Sequence, residues 1–186
     1  MKQIILAVIA LHSFSFLFAQ TETYGSKQTK NWLSPYCDAE IVSFSSEYSS
    51  SFAALYLLMR TSVETDIPSG SVWFTEEGAK FPHTAVLKLC RSGGKISRFL
   101  ISNYYEDDKE GGSYAGVSAK DIMLEYSNEG PDKGFIKIGD FKLKRSTHKQ
   151  ELKITPVTAK WIRVTIKSNY GNADYTLLGG MQAYTD

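Results

Sequence analysis

Along residues 160–168 the branched apolar side chains Ile162, Val164 and Ile166 alternate with Trp161, Arg163, Thr165 and Lys167. A period of two is that of a strand with one buried face. The turn-forming run Ser168, Asn169, Tyr170, Gly171 and Asn172 follows, and then a second β-rich run over residues 176–184 that can return beside the first. The same reading, applied upstream, predicts strands over residues 39–44 and 72–75 and a third whose buried face is Ala85, Leu87 and Leu89. Residues 96–103 are almost continuously apolar, as a central strand covered on both faces would be. Ile122, Leu124 and Tyr126 alternate inward on a fifth strand. In the sixth, Ile136 and Ile138 are out of phase with Phe141 and Leu143, which a bulge at Gly139 and Asp140 would explain. A seventh strand covers residues 150–155.

Between these runs, residues 52–59 are apolar at nearly every position and read as a buried helical turn or wide loop. Residues 104–118 form a long loop holding Tyr104, Tyr105, Glu106, Asp107 and Asp108, and a loop of that length is functional or mobile. About eight strands at sandwich-like spacing, with almost no helical periodicity, predict an all-β, antiparallel jelly-roll β-sandwich.

The amino terminus stands apart from this pattern. Lys2, the apolar residues 4–11 and 14–18, and the small Ala19 have the order of a secretory signal peptide over residues 1–19. The expectation is an exported product, extracellular or periplasmic. No later apolar run has the roughly twenty residues of a membrane span. Residues 20–36 are polar and read as a leader rather than core, with Trp32 the exception, and the domain is placed at residues 37–186.

Composition narrows the function classes. The chain has 21 Lys and Arg against 20 Asp and Glu, and residues 1–19 hold only Lys2 among them, so no charge bias points to nucleic acid or an anionic membrane. Aromatic residues are 13% of the chain and 11 residues are Tyr, a ring that serves both sandwich cores and wet binding surfaces. Zinc-protease, nucleophile-elbow and phosphate-loop motifs are absent, and no Cys/His cluster exists, so no enzyme activity is expected. His83 reads as a structural or rim residue, and His148 as part of a solvated hairpin. The acid pairs Glu76/Glu77 and Asp107/Asp108 are adjacent in sequence and cannot flank one glycosidic bond from opposite sides. Cys37 and Cys90 are the only cysteines, and they leave two states open, a disulfide or two buried thiols.

Several stretches, in order, resemble landmarks of the discoidin superfamily, also called coagulation factor V/VIII type C or galactose-binding-like domains. They are SSEYSSSFAALYLLM, SVWFTEEGAKFPHTAVLKL, KISRFLISNYYE, AKDIMLEYSNEG, FIKIGDFKL and the closing WIRV, SNYGN and LLGGMQAY. The resemblance runs from about Cys37 to Tyr184 and implies ligand binding by loops at one end of the sandwich. The candidate ligand-binding residues are then Tyr48, Trp73 and Glu76, His83, Asn103, Tyr104 and Tyr105, and Asn169, Tyr170, Asn172 and Tyr175. Tyr170 is the leading candidate for a ring that stacks on a sugar.

The departures from that family matter as well. Its sugar-binding members often carry a Trp-His-Ser/Thr step where this chain has Trp73, Phe74 and Thr75, and the sugar-gripping Arg expected near the fourth strand falls at or beside Asn103. Many relatives hold a structural calcium through an Asp and a Glu whose positions correspond to Met59 and Gly180. Without those carboxylates no metal or other cofactor is expected, and Asp107 and Asp108 read as a solvated acidic loop. Two partner classes follow: a glycan, or a protein of a cell-surface or periplasmic envelope complex.

Overall fold

A computed structural model describes residues 31–59 and 72–185. The expected signal peptide and most of the expected polar leader lie outside the described residues. Among the described residues ten strands form: β1 (Glu40–Phe44), β2 (Trp73–Phe74), β3 (His83–Lys88), β4 (Gly94–Ser102), β5 (Ala119–Ser127), β6 (Ile136–Lys142), β7 (Gln150–Ala159), β8 (Trp161–Asn169), β9 (Leu177–Leu178) and β10 (Gly180–Tyr184). An α-helical turn, α1 (Tyr56–Met59), lies within the apolar stretch that predicted it. One sheet has the order β1-β3-β8-β5-β6, a second β10-β4-β7, and β2 pairs with β9 in a short ribbon; every named pairing is antiparallel.

The core lies between the two larger sheets because their alternating faces coincide. In the five-stranded sheet Val164 of β8 is flanked by Ala85 of β3 and Leu124 of β5, and Ile162 by Leu87 and Tyr126. Opposite them, Ile96, Phe99 and Ile101 of β4 and Met181 and Ala183 of β10 are fully buried. Each fully buried large apolar side chain contributes about 1.5–3 kcal/mol, and a one-residue slip would turn a whole row to water, so the pattern fixes the register.

Three expectations are corrected. The carboxy-terminal run does not return beside β8. Both edges of β8 are taken by β3 and β5, so after Leu178 the chain crosses to the other layer and pairs with β4. Secondly, β4 is covered on one face only, with Ser97, Arg98 and Leu100 half-buried. Its run looked continuously apolar because an irregularity between Ile96 and Arg98 resets the phase, turning Ile96 and Phe99 inward although they are three residues apart. The break in β6 falls one residue before its expected place, since Leu124 pairs with Gly139 and Glu125 with Lys137, which leaves Ile138 as the extra residue.

The leader boundary also moves. Leu33 is fully buried in the main core. The Trp32 amide donates to Ala183 O at 2.8 Å, its indole Nε1 donates to Thr185 Oγ1 at 3.0 Å, and Asn31 Oδ1 accepts from the amides of Leu33 and Ala183. Residues 31–36 therefore belong to the sandwich. The disulfide Cys37–Cys90, with Cα atoms 5.2 Å apart and a sequence separation of 53, ties this segment to the end of β3. Closing a loop of that length removes unfolded-state entropy equivalent to about 4 kcal/mol.

Candidate functional site

The β2–β9 ribbon closes one end of the sandwich, and its alternation sends neighbouring residues to opposite sides. Trp73 enters the main core and donates from Nε1 to Ser46 O at 2.8 Å. Phe74 enters a second, smaller cluster with Val72, Tyr105, Val117 and Leu177. Around the Phe74 ring stand Tyr105 at 5.0 Å, Phe52 at 5.1 Å, Tyr114 at 5.5 Å and Tyr175 at 6.1 Å, all edge-on. Tyr48 closes the outside, 5.6 Å from Tyr175. Edge-to-face pairs are each worth about 0.5–1.5 kcal/mol beyond their area. The space left among these rings is about 10 Å³, room for one water and not for a sugar. Tyr175 donates its hydroxyl to the Glu77 carboxylate, and this bond, assisted by burial, pushes the phenol up to about 12.

Beside the cluster, residues 104–118 fold around one carboxylate. Asp108 Oδ1 accepts from Gly116 N at 2.6 Å, and Oδ2 accepts from Ser118 N at 3.1 Å and from the Ser118 hydroxyl. Arg145, on the β6–β7 connection, donates from Nη2 to Asp108 O at 2.5 Å and to Asp108 Oδ1 at 2.7 Å. The Asp108 side chain is only 3% exposed, so this acid organises the loop and is not part of a solvated acidic surface. Between the loop and the β6–β7 connection opens a cleft of about 260 Å³, lined by Tyr104, Tyr105, Asp108, Lys109, Ser118, Arg145, Ser146 and Thr147. Tyr105 is shared by the cluster and the cleft, and forms the partition between them.

The sequence-derived candidates divide accordingly. Tyr104 and Tyr105 line the cleft, while Tyr48, Tyr105 and Tyr175 belong to the aromatic cluster. Trp73 and Asn103 are fully buried. Asn103 Nδ2 donates to Ala119 O and its Oδ1 accepts from Gln150, so its amide is spent on holding strands together. His83 is 1% exposed and packs 4.7 Å from the Phe81 ring, and burial pushes its imidazole below the usual range. Glu76 is exposed and lines neither space. Asn169 and Asn172 are bracing residues: Asn169 Nδ2 donates to Asn172 O and Tyr175 O, and Asn172 Nδ2 donates to Ala115 O.

Tyr170, expected to stack on a ligand, is held by the protein itself. Its hydroxyl donates to Leu143 O at 2.6 Å, and Lys120 Nζ and Arg145 Cζ lie 5.5 and 5.8 Å from its ring centre. It supports Arg145 from behind. Sequence reasoning missed Arg145, Lys109, Ser146 and Thr147. Arg145 lies in a run that reads as a polar turn, and nothing local tells that its partner is 37 residues upstream. Tyr114 was missed for the same reason.

Met59 ends α1 with a thioether and Gly180 opens β10 without a side chain, so neither side chain supplies the carboxylate found at the corresponding position of calcium-holding relatives. Among the described residues no three of His, Cys, Asp or Glu are grouped to hold a metal ion, and no helix is long and apolar enough to cross a membrane.

The family described as Sad1 / UNC-like C-terminal matches residues 95–186, from the start of β4 to the end of the chain. No curated protein matches the sequence. Among solved structures, the family 32 carbohydrate-binding module of Streptococcus pneumoniae EndoD superposes with a TM-score of 0.62 at 15% identity, covering 84% of this chain and 100% of the module. A Clostridium perfringens CBM32 module in complex with GalNAc-β-1,3-galactose gives 0.60 at 15% identity, covering 84% and 100%. The C-terminal domain of a Bacteroides fragilis chitobiase gives 0.59 at 19% identity, covering 78% and 92%. With these neighbours and its own sheet order, the chain has the discoidin-type, galactose-binding-like fold, a jelly-roll β-sandwich.

Proposed function

We propose that this chain is an exported, non-catalytic glycan-binding module whose saccharide sits in the cleft between residues 104–118 and the β6–β7 connection. The observation that carries the reading is the cleft itself: about 260 Å³, at the loop end of a fold shared with carbohydrate-binding modules, with the half-buried Tyr104 and the side chains of Ser146, Thr147, Lys109 and Arg145 around it. An aromatic wall beside a few convergent polar groups is the usual make-up of a sugar site. Its volume is below the range of drug-sized pockets, which suits one sugar ring.

That size sets the affinity. About twelve heavy atoms at about 0.3 kcal/mol each give a Kd in the millimolar range. Useful retention then requires several sugar units or several copies of the module acting together. The test is a glycan array with multivalent display of the protein, comparing the unaltered chain with Tyr104→Ala and with Thr147→Ala. A specific hit lost in both variants is the expected result. A blank array from protein with an unchanged unfolding midpoint overturns the reading and directs attention to a protein partner.

A further inference from the structure

We propose that the cleft is built for an acidic saccharide, one that presents a carboxylate such as a uronic acid residue; this rests on the glycan-binding reading above. The lining holds two cations, Lys109 and Arg145, and one carboxylate, Asp108. Asp108 is not open to a ligand: both oxygens are occupied by Gly116 N, Ser118 and Arg145, and its side chain is 3% exposed. The loop's other acids, Glu106, Asp107 and Glu110, do not line the cleft.

The cations are differently placed. Both contacts of Arg145 to Asp108 run through Nη2, so Nε and Nη1 have no partner among the described residues, and the side chain stays 41% exposed. Lys109 Nζ likewise has no partner among the described residues, and the residue is exposed at the cleft wall. Arg145 is held in place by Asp108 in front and the Tyr170 ring behind, so its remaining edge is presented in one orientation. With Nη2 taken by Asp108, the Nε–H and Nη1–H groups of this fixed guanidinium point to different sides, and each can donate one charge-assisted hydrogen bond to an anionic oxygen. Lys109 adds a second positive charge on the same space; Ser146 Oγ, which accepts from His148 N at 3.1 Å, keeps its own proton for a ring hydroxyl, and Thr147 adds another side chain to the lining. A neutral sugar would use the hydroxyls, leaving Lys109 without a counter-charge and the Nε and Nη1 groups of Arg145 without an acceptor.

The experiment is calorimetric titration of the full chain with uronate trisaccharides, their neutral methyl esters and a sulfated trisaccharide of equal charge. Lys109→Ala, Arg145→Gln and the remote surface control Lys160→Ala are compared with the unaltered protein, each shown folded by urea unfolding. Binding of a uronate, weakened about tenfold or more by loss of either charged hydrogen bond, unaffected by Lys160→Ala and falling with added salt, is the expected outcome. The Lys109 side chain makes no hydrogen bond or ion pair among the described residues, so its variant keeps the test valid if Arg145→Gln loosens the loop. Equal binding of ester and acid overturns the acidic assignment while leaving the glycan reading standing. Binding of the sulfated ligand alone overturns the carboxylate. Binding of no saccharide here or on the array overturns both.

Discussion

Replacing Asp108 with Ala removes the acceptor around which residues 104–118 close. The amides of Gly116 and Ser118, both buried, lose their partner at 2.6 and 3.1 Å. Each buried N–H left unpaired costs about 1–3 kcal/mol. The ion pair with Arg145 is a smaller loss: Arg145 is 41% exposed, and pairs of that kind are worth about 1 kcal/mol or less. The Ser118 hydroxyl has a second acceptor in Asn103 O at 2.6 Å and, with one proton to give, loses little. The stripped amides therefore decide the outcome, and Asp108→Ala should destabilise the domain by about 2–6 kcal/mol. Asp108→Asn keeps the shape and one acceptor but turns an NH₂ toward one of the two amides, so about half that loss is expected. Urea unfolding reads the global term as a lower midpoint at unchanged slope. Amide hydrogen exchange at Gly116 and Ser118 reads the local one. A loss below about 1 kcal/mol with both amides still protected would refute the assignment of Asp108 as the loop's organising group. Fast exchange with an unmoved midpoint would place the loop outside the cooperative unit and refute the global magnitude.

Four further outcomes follow from the same structure. Leu33→Ala should cost about 2–5 kcal/mol in urea unfolding, since the side chain is fully buried; a surface-like loss of a few tenths would return residues 31–36 to the leader. Replacing Cys37 and Cys90 together with Ser should lower stability by about 4 kcal/mol, and reductant should shift the midpoint of the unaltered chain but not of the variant. His83 titrates below its ordinary 6.5 when folded because of burial, so the folded state binds fewer protons than the unfolded one. Stability is then full above that value and falls as the pH drops through it, a slope that His83→Gln should flatten. Tyr175 carries the opposite case: its phenol is raised from 10.0 to about 12, so stability is full below 10.0 and declines as the pH rises toward 12, which Tyr175→Phe should abolish in alkaline unfolding curves.

How much of this was legible depends on whether the physics is local. The strands were, because Ile162, Val164 and Ile166 of β8 or Ile122 and Leu124 of β5 announce a buried face by period two alone. Partner choice was not: the run ending at Tyr184 reads equally well against β8, and only the occupation of both β8 edges sends it to β4. Leu33 was hidden in polar company, since its burial depends on β10 arriving from the other end of the chain. At the site, the rings Tyr48, Tyr105 and Tyr175 were recognisable as rings, but their packing against Phe74 and Tyr114 depends on long-range closure. Asp108 and Tyr170 show the same limit in opposite directions. The acid looked solvated and is buried, while the tyrosine looked available and is engaged by Leu143 O and two cations.

The aromatic filling explains why the candidate site lies where it does. Sugar-binding relatives were expected to place a His after the Trp of the second strand; here Phe74 stands at that position, 3% exposed beneath Tyr105, Tyr114, Phe52 and Tyr175. A His there would seek a hydrogen-bond partner and keep the space polar, whereas a Phe recruits rings until about 10 Å³ remains. The loop end thus holds a small hydrophobic core of its own. That core does two things at once. It stiffens the β2–β9 ribbon, and through Tyr105 it supplies a fixed wall to the space on its other side. The cleft next to Arg145 and Lys109 shares its Tyr105 wall with that core, and its chemistry has to be judged from its own residues rather than from the fold it shares with carbohydrate-binding modules.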